Sequence, residues 1–230
     1  MSARCGRGIF VTGTDTGVGK TYAARLLIEA LKRRGLRVAA MKPVAAGVEA
    51  DGVNEDVRLL MAAANVEAPV ELVNPYCFAP AVAPHLAARL AGATMDLEVI
   101  AQAYAQLAAR ADVVVVEGAG GFLVPFDDAC GMDAIPRRLQ LPVVMVVGLR
   151  LGCLNHALLT AEAIARRGLP LAGWLANRLM PEMEMAEANL AALRGILRAP
   201  CLGEIHWQGK ALAGADVDND LILNALGLQE

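Results

Sequence analysis

Gly13-Thr14-Asp15-Thr16-Gly17-Val18-Gly19-Lys20-Thr21 follows the apolar run Ile9-Phe10-Val11-Thr12 and opens into a helical pattern over residues 20–34. A strand, a glycine-rich loop and a helix start in that order make an anion site. Gly17 and Gly19 let backbone N–H groups converge on phosphate oxygens, and the helix dipole favours negative charge there. In such a loop Lys20 bridges the outer phosphates and the Thr21 hydroxyl is placed to ligate Mg²⁺. The usual pattern has four residues between its first glycine and G-K-[ST], whereas five separate Gly13 from Gly19, so this is a variant P-loop. No G-x-G-x-x-G occurs here or in Gly118-Ala119-Gly120-Gly121, which excludes a dinucleotide fingerprint.

Outward from the loop, short β-branched runs recur at residues 38–42, 113–117, 143–147 and 171–176, and helical patterns at 97–110, 155–167 and 182–197. Gly35 and Gly168 are placed as helix stops. Alternation of this kind predicts an α/β P-loop NTPase fold, a mostly parallel sheet with helices on both faces. No repeat or Pro/Gly/Ser linker divides the chain, so residues 1–230 read as one domain, with residues 215–228 a closing helix. Ligands of such sheets bind beyond the carboxyl ends of the strands. That rule singles out Glu117, which ends the run Val113-Val114-Val115-Val116, as a second metal ligand facing the loop. Asp56, in Asn54-Glu55-Asp56, fits a helix-dipole complement, and spacing alone does not promote it further. Lys42 before Pro43 reads, by itself, as an exposed lysine at a turn.

Composition bounds the rest. The 230 residues (24.1 kDa) are 56% apolar and 20% charged, which is globular rather than disordered. A formal charge of −3 leaves no electrostatic footprint for nucleic acid or an anionic membrane. Mean hydropathy is +0.44, yet the strongest apolar run, residues 141–149, is about half the length of a membrane span. The basic residues 1–7 lack a following h-region, so a cytoplasmic protein is expected. Five cysteines, Cys5, Cys77, Cys130, Cys153 and Cys201, have no zinc spacing and read as free buried thiols.

Further segments carry a resemblance: GTDTGVGKT (13–21), KPVAAG (42–47), NEDVRLL (54–60), NPYCF (74–78), Pro84-His85, VEGAGG (116–121), LGCLNHALLT (151–160), AGWLAN (172–177) and LGEI (202–205). In this order the chain resembles the dethiobiotin synthetase family. The resemblance implies an ATP-dependent ring closure, in which 7,8-diaminononanoate and CO₂ (or bicarbonate) become dethiobiotin through a carbamate and a carbamic-phosphoric anhydride. It implies that Lys20 and Lys42 flank the carbamate and γ-phosphate, that Thr16 and Ala46 face substrate, and that Thr21, Asp56 and Glu117 hold Mg²⁺. Gly17, Val18, Gly19 and Tyr22 belong to the nucleotide set, and Gly118, Ala119 and Gly120 let backbone approach the reacting end. Asn177 is similar to a residue that reads the purine edge, with Arg178 beside it, and His206, Trp207 and Gln208 line the base pocket. Gly152, Cys153, Leu154 and Asn155 begin a helix whose free N–H groups suit the substrate carboxylate, and the resemblance implies that this helix start serves the site of the neighbouring subunit, in a homodimer with shared sites.

Three positions depart from the family's pattern. Ala46 stands where relatives have a hydroxyl residue, His206 where they commonly have proline, and in Phe78-Ala79-Pro80-Ala81 a proline is shifted. Two rival classes share the loop. A partitioning-type ATPase switch carries a lysine where this chain has Asp15, and a cobyrinate-type synthetase needs a glutaminase domain for which 230 residues leave no room.

Overall fold

Val113, Val114, Val115 and Val116 are all buried, because they belong to an inner strand of a parallel sheet that is covered on both faces. The computed structural model describes residues 7–49, 51–207, 215–225 and 227. In chain order the elements are β1 (Arg7–Gly13), α1 (Lys20–Arg33), β2 (Val38–Met41), β3 (Val44–Ala46), α2 (Glu55–Ala63), α3 (Val70–Val73), β4 (Tyr76–Phe78), α4 (Pro84–Leu90) and α5 (Leu97–Ala108). They continue with β5 (Val113–Gly121), α6 (Ala134–Leu139), β6 (Val143–Leu149), α7 (Cys153–Arg166), β7 (Leu171–Arg178), α8 (Ala186–Ile196), β8 (Cys201–Ile205), β9 (Ala215–Val217) and α9 (Asn219–Ala225).

The main sheet has the order β2-β5-β1-β6-β7-β8-β9, parallel except for β9 against β8. The chain leaves β1 toward one edge and returns from β5 toward the other, so the strand order reverses at β1. A parallel sheet binds ligands at such a switch point, and here the glycine-rich loop leaves β1 at that point. Period-two alternation divides the core. Phe10, Val114 and Val116 face one layer with Ile100 and Leu107 of α5, while Ile9, Val11, Val113 and Val115 face Leu27, Ile28 and Leu31 of α1. A third cluster packs Met145, Val147 and Leu149 against Trp174, with Leu190 and Leu193 of α8.

Several expectations are corrected. The C-terminal segment is a short antiparallel strand followed by a helix, not one helix from 215, because residues 215–217 pair with Gly203, Glu204 and Ile205. The helix expected from 182 starts at Ala186, after Pro181 and the left-handed Met185 (φ 54°). The helix expected from 155 starts at Cys153, capped by Gly152 at φ 93°. The cysteines among the described residues are free, but only Cys153 is buried, and Cys77 is exposed. Cys5 and Gln208 lie outside the described residues. No helix among the described residues is long and apolar enough to cross a membrane.

Candidate active site

The loop between β1 and α1 is held open by two left-handed glycines, Gly17 (φ 74°) and Gly19 (φ 85°). Glycine enters that region without a steric cost. Thr14 N–H donates to the Val146 carbonyl (3.0 Å), which ties the loop to β6. The Asn177 amide, at the end of β7, donates to the Val18 carbonyl (2.8 Å) from the other side. Asp15 accepts the Thr16 N–H (2.7 Å) and pairs with Arg150, and these contacts hold its carboxyl below the usual range against the opposing effect of burial. Lys20 is buried, and its ammonium donates to the Asp15 carbonyl at 3.1 Å. Burial pulls the Lys20 ammonium down to about 8, opposed in part by Glu117 and Asp56.

Lys42 follows β2, the adjoining Glu117 lies within β5, and Asp56 stands in the first turn of α2. Asn54 fixes that turn: its side chain accepts from Val57 N–H (3.3 Å) and donates to the Gly47 carbonyl (2.6 Å). The Lys42 ammonium contacts Glu117 Oε1 at 2.5 Å and Asp56 Oδ2 at 2.8 Å. The same Glu117 oxygen accepts the Thr21 hydroxyl at 2.9 Å. Burial alone would pull the Lys42 ammonium down, yet the two carboxylates outweigh it and hold it above its ordinary value. Burial alone would likewise raise the Asp56 carboxyl, and Lys42 outweighs that effect and holds it low. Such a cluster is tolerated inside the fold because each charge is paired. Lys42 is therefore not the exposed turn lysine that its local sequence describes, being 4% accessible.

Glu117 Oε2 is buried with no hydrogen-bond partner among the described residues. Together with Asp56 and the Thr21 hydroxyl it forms a hard-oxygen set. No group of three or more His, Cys, Asp or Glu side chains able to hold a metal occurs among the described residues. Two carboxylates and a hydroxyl instead fit a cation that completes its shell with phosphate and water, as Mg²⁺ does.

These residues border a cavity of about 750 Å³. Thr16, Gly17, Gly19, Lys20, Thr21, Tyr22, Lys42, Ala46, Asp56, Glu117, Ala119 and Gly120 all line it. Val18 is buried under the loop, and Gly118 lies against Phe10, where a Cβ would come within 2.7 Å of the ring. The remaining expected positions lie elsewhere. Asn177 is buried beside Gly19 with Oδ1 lacking a partner among the described residues, and Arg178 is paired with Glu187 and Glu204. His206 Nδ1 lies 3.7 Å from Glu204, and Trp207 is exposed. Gly152 and Asn155 are exposed and Cys153 is buried, away from this cavity. The cavity also includes Arg25, Leu59 and residues 81–84, which sequence reasoning missed. Arg25 has a signal, lying one turn after Thr21 on the same helix face, whereas residues 81–84 offer no pattern beyond the Pro84-His85 pair.

An AAA-domain family model matches residues 7–213. Among curated proteins, the ATP-dependent dethiobiotin synthetase BioD of Nitrosospira multiformis is 53% identical over 202 residues, 88% of this chain and 89% of that protein. The corresponding protein of Aromatoleum aromaticum is 49% identical over 213 residues, 91% of this chain and 93% of its own length. Solved structures show the same fold at low identity. The MinD cell division protein of Aquifex aeolicus aligns with a TM-score of 0.55 at 14% identity, over 95% of this chain and 87% of that chain. A ParA family ATPase of Chlorobium tepidum gives 0.54 at 13%, over 96% and 91%. With its variant phosphate loop, its charge cluster and relatives near 50% identity along nine-tenths of its length, the chain belongs to the ATP-dependent dethiobiotin synthetase family.

Proposed function

We propose that this chain, working as a single domain in the cytoplasm, converts 7,8-diaminononanoate, CO₂ and ATP into dethiobiotin, ADP and phosphate. The observation that carries the reading is the convergence of Lys20, Thr21, Lys42, Asp56 and Glu117 on one cavity, beyond the carboxyl ends of β1 and β2 and beside the middle of β5. One amine adds to CO₂, forming a C–N bond and releasing a proton, to give a carbamate. A carbamate oxygen displaces ADP from the γ-phosphorus. The second amine then attacks the carbamoyl carbon, forming the second C–N bond as the C–O bond to phosphate breaks. Lys20 and Lys42, both buried, supply positive charge where the phosphoryl group moves, and burial lessens its screening by water. Thr16 and Ala46 face the substrate side, and both amines held in one cavity give the effective concentration on which ring closure depends.

Thr21, Asp56 and Glu117 would hold Mg²⁺, and the unpartnered Glu117 Oε2 supports that assignment. When bound, the ion neutralises phosphate charge and orients the chain of phosphates. Asn177 Oδ1, unpartnered beside the loop, supports a purine contact at the end of β7, with Arg178, His206, Trp207 and Gln208 around the base. A twofold dimer is part of the proposal. It is supported by Gly152, Cys153, Leu154 and Asn155 lying off this chain's cavity, and by Leu151, Leu158 and Leu159 being exposed beside them.

The test is an ADP-release assay with and without the diamine and bicarbonate, with the product mass determined. ADP release that requires both, and a product heavier than the diamine by CO₂ less one water, is expected. ADP release indifferent to the diamine would overturn the reading.

A further inference from the structure

Five charged side chains line the cavity at the phosphate loop: Lys20, Arg25, Lys42, Asp56 and Glu117. Lys42 takes both carboxylates, and Lys20 donates to the Asp15 carbonyl. Glu29 stands one turn beyond Arg25 on α1, within reach by helical spacing, but is engaged by Lys32 at 2.8 Å. Arg25 is left with no ion pair and no hydrogen bond among the described residues, although it is only partly exposed. A partly desolvated guanidinium without an acceptor is unfavourable until an anion reaches it.

Helix geometry says which anion. Side chains on a helix lean toward its N-terminus and cover the preceding turn. Arg25 is four residues after Thr21, so its stem points back over the turn that holds Thr21 and Tyr22, toward the phosphate loop. The charge does reach that turn, since Arg25 opposes the burial that raises the Tyr22 phenol. Arg25 borders the cavity together with Asp56 and Leu59 of α2, the helix that packs against α1. A nucleotide's phosphate chain, laid along the loop and over the start of α1, brings the anionic partner that Arg25 lacks, since Asp56 is taken by Lys42.

We infer that Arg25 is a further nucleotide-binding residue, one that contacts the phosphate chain from the α1 side of the cavity. The inference rests on the ATP reading of the loop and adds to it a fixed, planar donor that a lysine cannot fully replace. The test is titration of the whole protein with ATP and with inorganic tripolyphosphate, for wild type, Arg25→Gln, Arg25→Lys and Lys20→Gln, together with the melting temperature and the KM for the diamine. Arg25→Gln should weaken both ligands tenfold or more and leave the KM for the diamine within twofold, with Arg25→Lys in between. ATP affinity within threefold of wild type in Arg25→Gln overturns the inference alone. So do equal losses in the Gln and Lys variants accompanied by a lowered melting temperature, which would make the side chain a packing element. Unchanged ATP affinity in Lys20→Gln overturns the nucleotide reading, and this inference with it.

Discussion

The Lys42 ammonium lies 2.8 Å from Asp56 and 2.5 Å from Glu117, so its charge is fixed by two partners and its place by the strand that precedes it. Lys42→Gln and Lys20→Gln should each nearly abolish product formation, the second also weakening ATP binding. A kcat for Lys42→Gln above a tenth of wild type, a loss under ~1.4 kcal/mol, would remove Lys42 from phosphoryl transfer. Lys20 also predicts a pH dependence. Burial brings its ammonium down to about 8 from 10.5, so the free enzyme holds the charge below about pH 8 and loses it above. ATP affinity, followed by titration calorimetry, should be level below that pH and fall above it, by up to about tenfold per unit. Lys20→Gln should show no such break. Folding stability moves the other way, rising from about pH 8 toward 10.5, because the unfolded chain binds the proton more tightly there. At Ala46, the missing hydroxyl forfeits one hydrogen bond of roughly 0.5–1.5 kcal/mol. Ala46→Ser should therefore lower the KM for the diamine by no more than about tenfold and leave kcat within about threefold, both read from steady-state kinetics. A hundredfold rise in kcat would mean that Ala46 impairs the chemistry. Lys20 and Thr21 were legible because a loop motif fixes them locally. Lys42 and Asp56 were not legible from local sequence, since their partners lie 75 and 14 residues from Lys42, a distance that only the resemblance bridged.

The strand-loop-helix element shows how much local pattern decides. α1 coincides almost to the residue with the periodic stretch after the loop, because glycine, lysine and hydroxyl residues punctuate the transition, while β1 contains the apolar run 9–12 and extends beyond it to Arg7 and Gly13. The paired strands β3 and β4 escaped notice, since three residues each give no period to read and their pairing spans Val44 to Phe78. β8 was visible only as the motif LGEI, for its burial alternates irregularly against β7. The loop's two glycines allow an element-scale test. A Cβ on Gly19 would lie 2.2 Å from the Asn177 amide nitrogen, whereas at Gly17 nothing is within 4 Å, and both residues are left-handed. Gly17→Ala meets only the backbone cost, about 1–2 kcal/mol. Gly19→Ala must also push Asn177 away from the Val18 carbonyl. It should lower the melting temperature further and weaken ATP binding more than Gly17→Ala does. Equal effects from the two variants would show that the β7 contact does not shape the loop.

At the scale of the whole molecule, the sheet gathers the phosphate loop, Lys42 and Glu117 at one end because β2, β5 and β1 are parallel neighbours. The loop after β6 opens at the same end. Its Arg150 reaches Asp15, yet the helix start that follows, Gly152 to Asn155, stays off the cavity, with Leu151 95% exposed. An apolar side chain that open, followed by exposed Leu158 and Leu159 on α7, fits a face covered by a second copy under twofold symmetry. In that arrangement each site would take its phosphate loop from one chain and its α7 start from the other, and mixing distinguishes this from a self-contained site. Lys20→Gln disables the loop, and Asn155→Asp places a negative charge where the substrate carboxylate would lie. In a hybrid dimer, one site combines both lesions and the other combines neither. Random exchange between equal amounts makes half of the dimers hybrids, so about a quarter of the wild-type sites should return. If both parts of a site came from one chain, every site in every hybrid would carry one lesion. Activity staying at the level of the unmixed variants, once subunit exchange is demonstrated by labelled chains, would therefore sink the shared-site arrangement.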